Sequence, residues 1–401
     1  MNATGEMLMA LRLTTAGESH GPALVAVLEG VPAGLELTAE YIDRQLARRR
    51  RGYGRGGRMD IEDDAVRVLS GVRLGRTLGS PIALLVENRD HANWEESMSP
   101  GKRPGPAPEQ ETRPRPGHGD LAGMLKWGTR DARDVLERAS ARETAARCAA
   151  GAIAARLLEE VGVTVASAVV GVGQVNAPFF ESGGYEDFAG DEDDPLRCRD
   201  AETSARMRAS IDAAREAGDS LGGLFEVAAF GVPPGLGTCA RAEGRLDARL
   251  FAALASIPAI KGVEAGAGFA LARSRGSEAH DEIIRDREKG LVRGSNRAGG
   301  LEAGMTNGEM LVLRAAMKPI PSLASPLATV DLKTLEPAVA FKERADVCAV
   351  PAAAVVAESM VALVLADALL EKFGGDTVDD LKASFTSYLD RIGDLWRPRA
   401  R

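Results

Sequence analysis

Residues 17–21 read Gly17-Glu18-Ser19-His20-Gly21, inside "LRLTTAGESHGPALVAVLEG". The five residues fit G-x-S-x-G, the sharp turn that exposes a nucleophilic serine on an α/β-hydrolase sheet. How this stretch is read decides the fold. A nucleophile elbow needs several strands before it, a helix directly after it, and an acid and then a histidine later in the chain. At position 17 there is room for one preceding strand at most. The following "PALVAVLEGVP" reads as strand, not helix. The hydrolase reading therefore fails on context. What remains is a tight glycine-flanked turn that carries Ser19 and His20.

Working outward, Thr38 is a good N-cap for "LTAEYIDRQLARRRR", which places Ile42 and Leu46 at helical spacing. Strand-like runs follow at 66–72 and 82–86, separated by glycine-rich turns. Residues 99–117 are proline-rich and polar, which predicts loop. Ser140 followed by Glu143 forms a capping box, predicting a helix from there to about residue 160. Its faces are mostly alanine, and Gly151 lets a second helix approach closely. Further strands are expected in "VTVASAVVGVGQVNA", "GLFEVAAFGVPPGLG" and "NGEMLVLRAAMKPIPS", and 186–200 reads as an acidic surface segment.

The most apolar run is 350–370. Glu358 and Asp367 inside it would be costly in hydrocarbon, so it is expected to be a buried helix and not a membrane span. Pro351 and Gly374-Gly375 suit its two ends. Strands and helices come in mixed order without regular β-α-β alternation. That favours an α+β fold with antiparallel sheets.

The 401 residues are 45% hydrophobic, 27% charged and 4% aromatic, the profile of a globular protein whose core packs backbone closely and uses few large rings. A net charge of -8 excludes nucleic-acid binding by bulk charge, so any anion site must be a local basic cluster. Cys148, Cys198, Cys239 and Cys348 lie far apart without C-x-x-C, as expected of reduced thiols in the cytoplasm. No signal-peptide pattern opens the chain. Residues 1–9 read as a short leader, and 10–401 as a single domain.

Several constellations have chemical potential. Arg48, Arg49, Arg50, Arg51, Arg55 and Arg58 fall within "RRRRGYGRGGR". Arginine suits a bidentate grip on carboxylate or phosphate, and glycine lets backbone approach a ligand. A solvated helix end and an RGG-type RNA-binding segment are the competing readings. His20, His91, His118 and His280 all sit in polar or glycine-rich surroundings, without metal-ligand spacing. Arg138, Ser140 and Arg142 surround a helix start, where free N–H groups favour an anion. Residues 294–309 form a glycine-rich loop with Asn296 and Asn307 that is no Walker loop. Arg344 and Asp346 precede the apolar helix.

Taken together, "TAGESHGPALVAVLEGVPAG", "RRRRGYGRGGRM", "TRPRPGHGDLAGMLKWG", "ERASARETAARCAAGAIA", "RGSEAHDE", "SNRAGGLEAGMTNGE", "AAMKPIPS" and "RADVCAVPAA" resemble the signature blocks of the chorismate synthase family, in its usual order and over nearly the whole chain. The resemblance implies a sandwich of long central helices between antiparallel β-sheets. It implies a lyase that converts 5-enolpyruvylshikimate 3-phosphate to chorismate by anti-1,4-elimination of phosphate. That reaction requires reduced FMN without net redox change, and it is the last common step to aromatic amino acids. It further implies a cytoplasmic homotetramer supplied by an external flavin reductase or NADPH-dependent reductant.

Residue by residue, the resemblance gives His20 as the acid beside the leaving phosphate. It gives His118 as the histidine facing the flavin and Asp346 as the carboxylate near flavin N5. Ser19, Arg49, Arg55, Arg142 and Arg344 are implied around the substrate, Arg49 and Arg55 also matching nicotinamide-phosphate contacts. For flavin it implies Arg138, Ala139, Ser140, Pro258, Ala259, Ala303, Lys318, Pro319, Ile320, Pro321, Ser322 and Arg344. Related sequences often carry an amide residue at 258 and glycine at 303. No metal site is expected.

Overall fold

Two antiparallel sheets enclose the long helices. The computed structural model describes residues 10–57, 61–101, 108–189, 193–286, 290–344 and 346–395, so the expected leader 1–9 and Arg58 lie outside the described residues. The first sheet has four strands in the order Arg12–Ala16, Ala23–Glu29, Ile82–Glu87, Val66–Val68. The second has five, in the order Ile260–Ala265, Leu311–Met317, Gly223–Phe230, Thr164–Val172, Val175–Asn176. Every pairing in both is antiparallel.

The helix Thr144–Glu159 packs on the first sheet and the helix Val350–Phe373 on the second, with the two helices against each other between them. This is the expected sandwich. The strand Ala23–Glu29 alternates half-buried and buried residues, as a sheet with one covered face requires. The central helices are instead buried nearly all round, which is why no narrow apolar stripe marks them. Gly151 is where they meet: a Cβ there would stand 2.3 Å from Ser359 Cβ. Small residues at the seam let the backbones approach. One continuous buried cluster runs from Leu11 to Phe385 across both sheets.

The helix Val350–Phe373 is long and apolar enough to cross a membrane, but 89% of its most apolar window is buried inside the protein. Glu358 and Asp367 are held by partners there. Glu358 accepts from Arg48 at 2.6 and 3.0 Å and from Ser167 Oγ at 2.6 Å. Asp367 accepts from the Leu11 N–H at 2.8 Å.

Local expectations need three corrections. The expected strand 66–72 splits into Val66–Val68 and a separate Val72–Arg73 hairpin arm, because Gly71 adopts a positive φ of 82° between them. The capping box at Ser140 is only half made. Ser140 Oγ accepts from the Arg142 N–H at 3.3 Å and caps a 3-10 turn, Ala141–Glu143, and the α-helix starts at Thr144. Glu143 turns to Arg147 at 2.6 Å. The acidic segment 186–200 is also not wholly surface, since Phe188 and Leu196 are fully buried.

Candidate active site

The opening turn links two strands of the first sheet. Gly17 has φ 110°, and a Cβ there would come within 2.4 Å of the Ala23 carbonyl, so the turn requires glycine. The turn is docked on a short helix, Arg133–Ala139, which sequence patterning did not show. The Ser19 N–H donates to the Glu137 carbonyl at 2.9 Å.

This turn, the end of the helix Ala39–Arg50 with its following loop, residues 115–119, the Ser140 turn and the start of the helix Val350–Phe373 surround a cavity of ≈ 440 Å³. Of the expected residues, Ser19, His20, His118 and Asp346 line it, as do Arg49, Arg55, Arg142 and Arg344. So do Ala139, Ser140, Pro258 and Ala259, together with Lys318, Ile320, Pro321 and Ser322. Arg138 and Pro319 do not reach its wall, although both adjoin residues that do. Arg138 binds Thr15 Oγ1 at 2.8 Å and the Gly17 carbonyl at 3.2 Å, supporting the turn from behind.

Ala303 is placed differently from the other expected flavin residues. It sits between the hairpin strands Leu301–Glu302 and Met305–Thr306, next to the strand pairing of Gly237 with Met305, and does not line the cavity. Its φ of 49° is a conformation that favours glycine. The loop around Asn296 likewise satisfies itself: Asn296 Nδ2 donates to the Met310 carbonyl, and its Oδ1 accepts from the Gly300 N–H, both at 2.8 Å.

The arginine cluster divides. Arg48 turns to Glu358 and Arg50 to the Asp63 carbonyl at 2.6 Å, while Arg49 and Arg55 face the cavity. A single RNA-binding strip would present them together. Behind the cavity Asp64 is shared by Arg49, at 2.8 Å, and by Arg142. Arg142 also reaches Asn88 Oδ1 at 2.8 Å and Glu62 at 3.3 Å. Burial pushes the Asp64 carboxyl up, but the two guanidiniums outweigh it and hold it at about 2. Arg55 donates to Asp346 Oδ2 at 2.6 Å, and the Gly56 N–H donates to Oδ1 at 2.7 Å. Arg344 bonds the fully buried Asp90 at 2.5 Å. The wall thus carries guanidinium groups fixed from behind by carboxylates. Nε of Arg49 is buried with no hydrogen-bond partner among the described residues.

Each cavity histidine has a carboxylate at its back. Nδ1 of His20 lies 2.9 Å from Glu137 Oε1, and the His20 backbone N–H donates to Glu137 Oε2 at 2.8 Å. The ring stacks on Trp94 with centroids 4.1 Å apart. Nδ1 of His118 hydrogen-bonds Asp120. Burial pushes both carboxyls up, and the hydrogen bonds from their histidines are the foremost of the contacts that hold them below the usual carboxylate range.

Sequence reasoning missed Glu137, Asp120, Asp64 and Arg115. Arg115 and Asp120 flank His118 in "RPGHGDLAG", so nearness to that histidine was an available signal. His91, which had no expected task, uses Nδ1 to hold the His20 carbonyl at 2.8 Å and so braces the turn. His280 is absent from the cavity wall.

The family model for chorismate synthase matches residues 11–370. The chain is 60% identical to the chorismate synthase of Rubrobacter xylanophilus over 388 residues, 96% of this chain and 98% of that relative. It is 56% identical to the chorismate synthase of Desulforudis audaxviator, over 95% of this chain and 98% of that relative. Its fold is similar to a crystal structure of chorismate synthase with a TM-score of 0.77 at 43% identity, over 97% of this chain and all of the other.

Proposed function

The chain belongs to the chorismate synthase family, and from that premise we propose that it converts 5-enolpyruvylshikimate 3-phosphate to chorismate and phosphate by anti-1,4-elimination, with reduced FMN required and no net redox change. The observation that carries this reading is the convergence of His20, His118, Asp346 and the guanidinium groups of Arg49, Arg55, Arg142 and Arg344 on one cavity.

The substrate carries a phosphate and two carboxylates, and FMN adds a phosphate. The cationic wall suits such anions, and the spare Nε of buried Arg49 is a donor awaiting an acceptor. Leu136, Ala139, Ile257, Ala352, Ala353 and Val356 add an apolar lining, which suits a flat ring system. Gly117, at the margin of the cavity beside Lys318 and Pro321, has φ 80°, a conformation that favours glycine. The residues present therefore fit FMN. Ala139, Ser140, Pro258, Ala259, Lys318, Ile320, Pro321, Ser322 and Arg344 would hold it, with Arg138 and Pro319 supporting from the next layer. When bound, reduced FMN supplies the electron-rich ring that the elimination needs.

In this reading His20 hydrogen-bonds or protonates the departing phosphate, a task that an imidazole can perform. His118 and Asp346 face the flavin. Ser19, Arg49, Arg55 and Arg142 orient the substrate, and Arg344 serves both ligands. Arginines held by Asp64 and Asp346 present preset donors, so little reorganisation accompanies charge development on the leaving phosphate.

The same proposal includes a cytoplasmic location, residues 10–401 as one domain, and assembly as a homotetramer. The exposed apolar side chains of Ile283, Leu327, Leu335 and Val339 on two hairpins support self-association. Reduced flavin then comes from an external reductase or NADPH-dependent reductant. An anaerobic assay tests the reading. Chorismate is expected with chemically reduced FMN and not with oxidised FMN; its formation without any flavin would sink the proposal.

A further inference from the structure

Two arginine–carboxylate–histidine chains of the same form end in the cavity. In one, Arg133 donates to Glu137 Oε1 at 2.9 Å, and Glu137 meets His20 Nδ1. Arg133 also lies 4.6 Å over Trp94, the ring stacked on His20, so the three groups and the indole form one packed unit. In the other, Arg115 Nε donates to Asp120 Oδ2 at 2.9 Å, and Asp120 meets His118 Nδ1. Arg115 lies 4.6 Å over Phe341 and donates to Ser322 Oγ at 2.8 Å.

The protonation pattern follows from donor and acceptor chemistry. Glu137 and Asp120 are 3% and 0% exposed and ionised, and an ionised carboxylate only accepts. Nδ1 must therefore carry the hydrogen in both rings. Nη2 of Arg115 also lies 3.1 Å from His118 Nδ1, but a guanidinium only donates, and its hydrogen has an acceptor in Asp120 Oδ1 at 3.2 Å. On the far side of His20, Nε2 stands 3.9 Å from Asp90 Oδ2, and Asp90 is itself engaged by Arg344.

We infer that Glu137 and Asp120 are positioning residues that fix Nδ1–H of His20 and His118, so that both histidines exchange protons or hydrogen bonds with ligands through Nε2. Half-buried Arg133 and buried Arg115 keep each carboxylate in place and ionised. The kinetic part of this inference rests on the proposed chorismate-forming reaction. The tautomer part does not.

The test is a nitrogen-15 histidine spectrum of the full chain, which has four histidines, with His20 and His118 assigned by loss of signal in His20→Ala and His118→Ala. Both rings are expected to show a protonated Nδ1 in a strong hydrogen bond. Glu137→Gln should perturb the His20 signal alone, and Asp120→Asn the His118 signal alone. With reduced FMN, each variant should lose about 10- to 100-fold in kcat while KM changes little, by analogy with partners that orient metal-bound imidazoles. A neutral ring with its hydrogen on Nε2 in either wild-type histidine overturns the inference, even if both variants fail to fold. Folded variants with wild-type kcat overturn it as well. A wild-type protein that makes no chorismate refutes the proposed reaction instead, and the spectrum still decides the positioning.

Discussion

His20 and Glu137 are bound to each other twice, through the ring Nδ1 at 2.9 Å and through the backbone N–H at 2.8 Å. The carboxylate therefore fixes both where the turn sits and how the imidazole points. Ser19 is tied to the same residue, its N–H donating to the Glu137 carbonyl. A five-residue turn at the start of the chain is thus set by a helix more than a hundred residues later.

Because the two histidines line one cavity and are separately oriented, their losses should be separately measurable. His20→Ala and His118→Ala are each expected to lower turnover by about 10- to 1000-fold, the scale of acid–base contributions. Steady-state chorismate formation with reduced FMN checks this. Near-wild-type rates in both variants would refute their proposed roles.

Asp64 is the common anchor of Arg49 and Arg142, and its carboxyl is held at about 2. The folded state thus binds its proton more weakly than the unfolded state, whose aspartate titrates near the ordinary value of about 4. The resulting stabilisation is present above about pH 4 and fades as pH falls through about 2. Asp64→Asn should lose about 3 kcal/mol or more at neutral pH, since it leaves two buried guanidiniums short of a counter-charge. Urea unfolding at pH 7 and pH 3 should show the gap between wild type and variant narrowing in acid. An equal gap at both would contradict this account.

Much of the site was legible in the sequence because its members are chemically conspicuous. His20 and His118 sit in glycine-rich turns, Arg49 belongs to a dense run of arginines, and Asp346 stands just before a strongly apolar helix, settings where packing alone gives no reason for them. The carboxylates behind them were harder to see. Asp64 follows an ordinary acidic run, and Glu137 lies on a helix of seven residues, too short for periodicity to reveal. Their importance comes from what they touch across the fold. Antiparallel sheets in an α+β fold followed from element order, and the sandwich from the family resemblance, whereas the 3-10 turn after Ser140 followed from neither. That turn reflects two helices meeting head to tail, a tertiary condition that a capping motif does not encode.

The cysteines provide a test of core integrity that needs no substrate. Cys148, Cys198 and Cys348 are buried and Cys239 is exposed. Burial pushes the Cys148 and Cys348 thiols up to about 11, so at pH 8 they carry little thiolate and are shielded as well. Titration of the native protein with a thiol-reactive chromophore should modify Cys239 rapidly. The other three should react only on unfolding. Rapid reaction at Cys148, which lies beside Arg49, would mean that the wall behind the cavity opens in solution.

The central helices approach closely where Gly151 faces Ser359. A Cβ on Gly151 would stand 2.3 Å from Ser359 Cβ and 2.7 Å from its Cα, and neither is the free end of a flexible side chain. Helix propensity favours alanine over glycine by about 1 kcal/mol, so propensity alone predicts that Gly151→Ala stabilises. Overpacking a close-packed seam costs about 1–3 kcal/mol, and here both backbones would have to separate. The clash should win, and Gly151→Ala should lower the urea midpoint. Removing the opposing Cβ relieves the overlap, so Gly151→Ala with Ser359→Gly should be more stable than the sum of the single losses predicts, a coupling that a double-mutant cycle measures. Strict additivity would mean that the helices are not in contact at this point. A rise in the midpoint for Gly151→Ala alone would mean that the seam has room to spare.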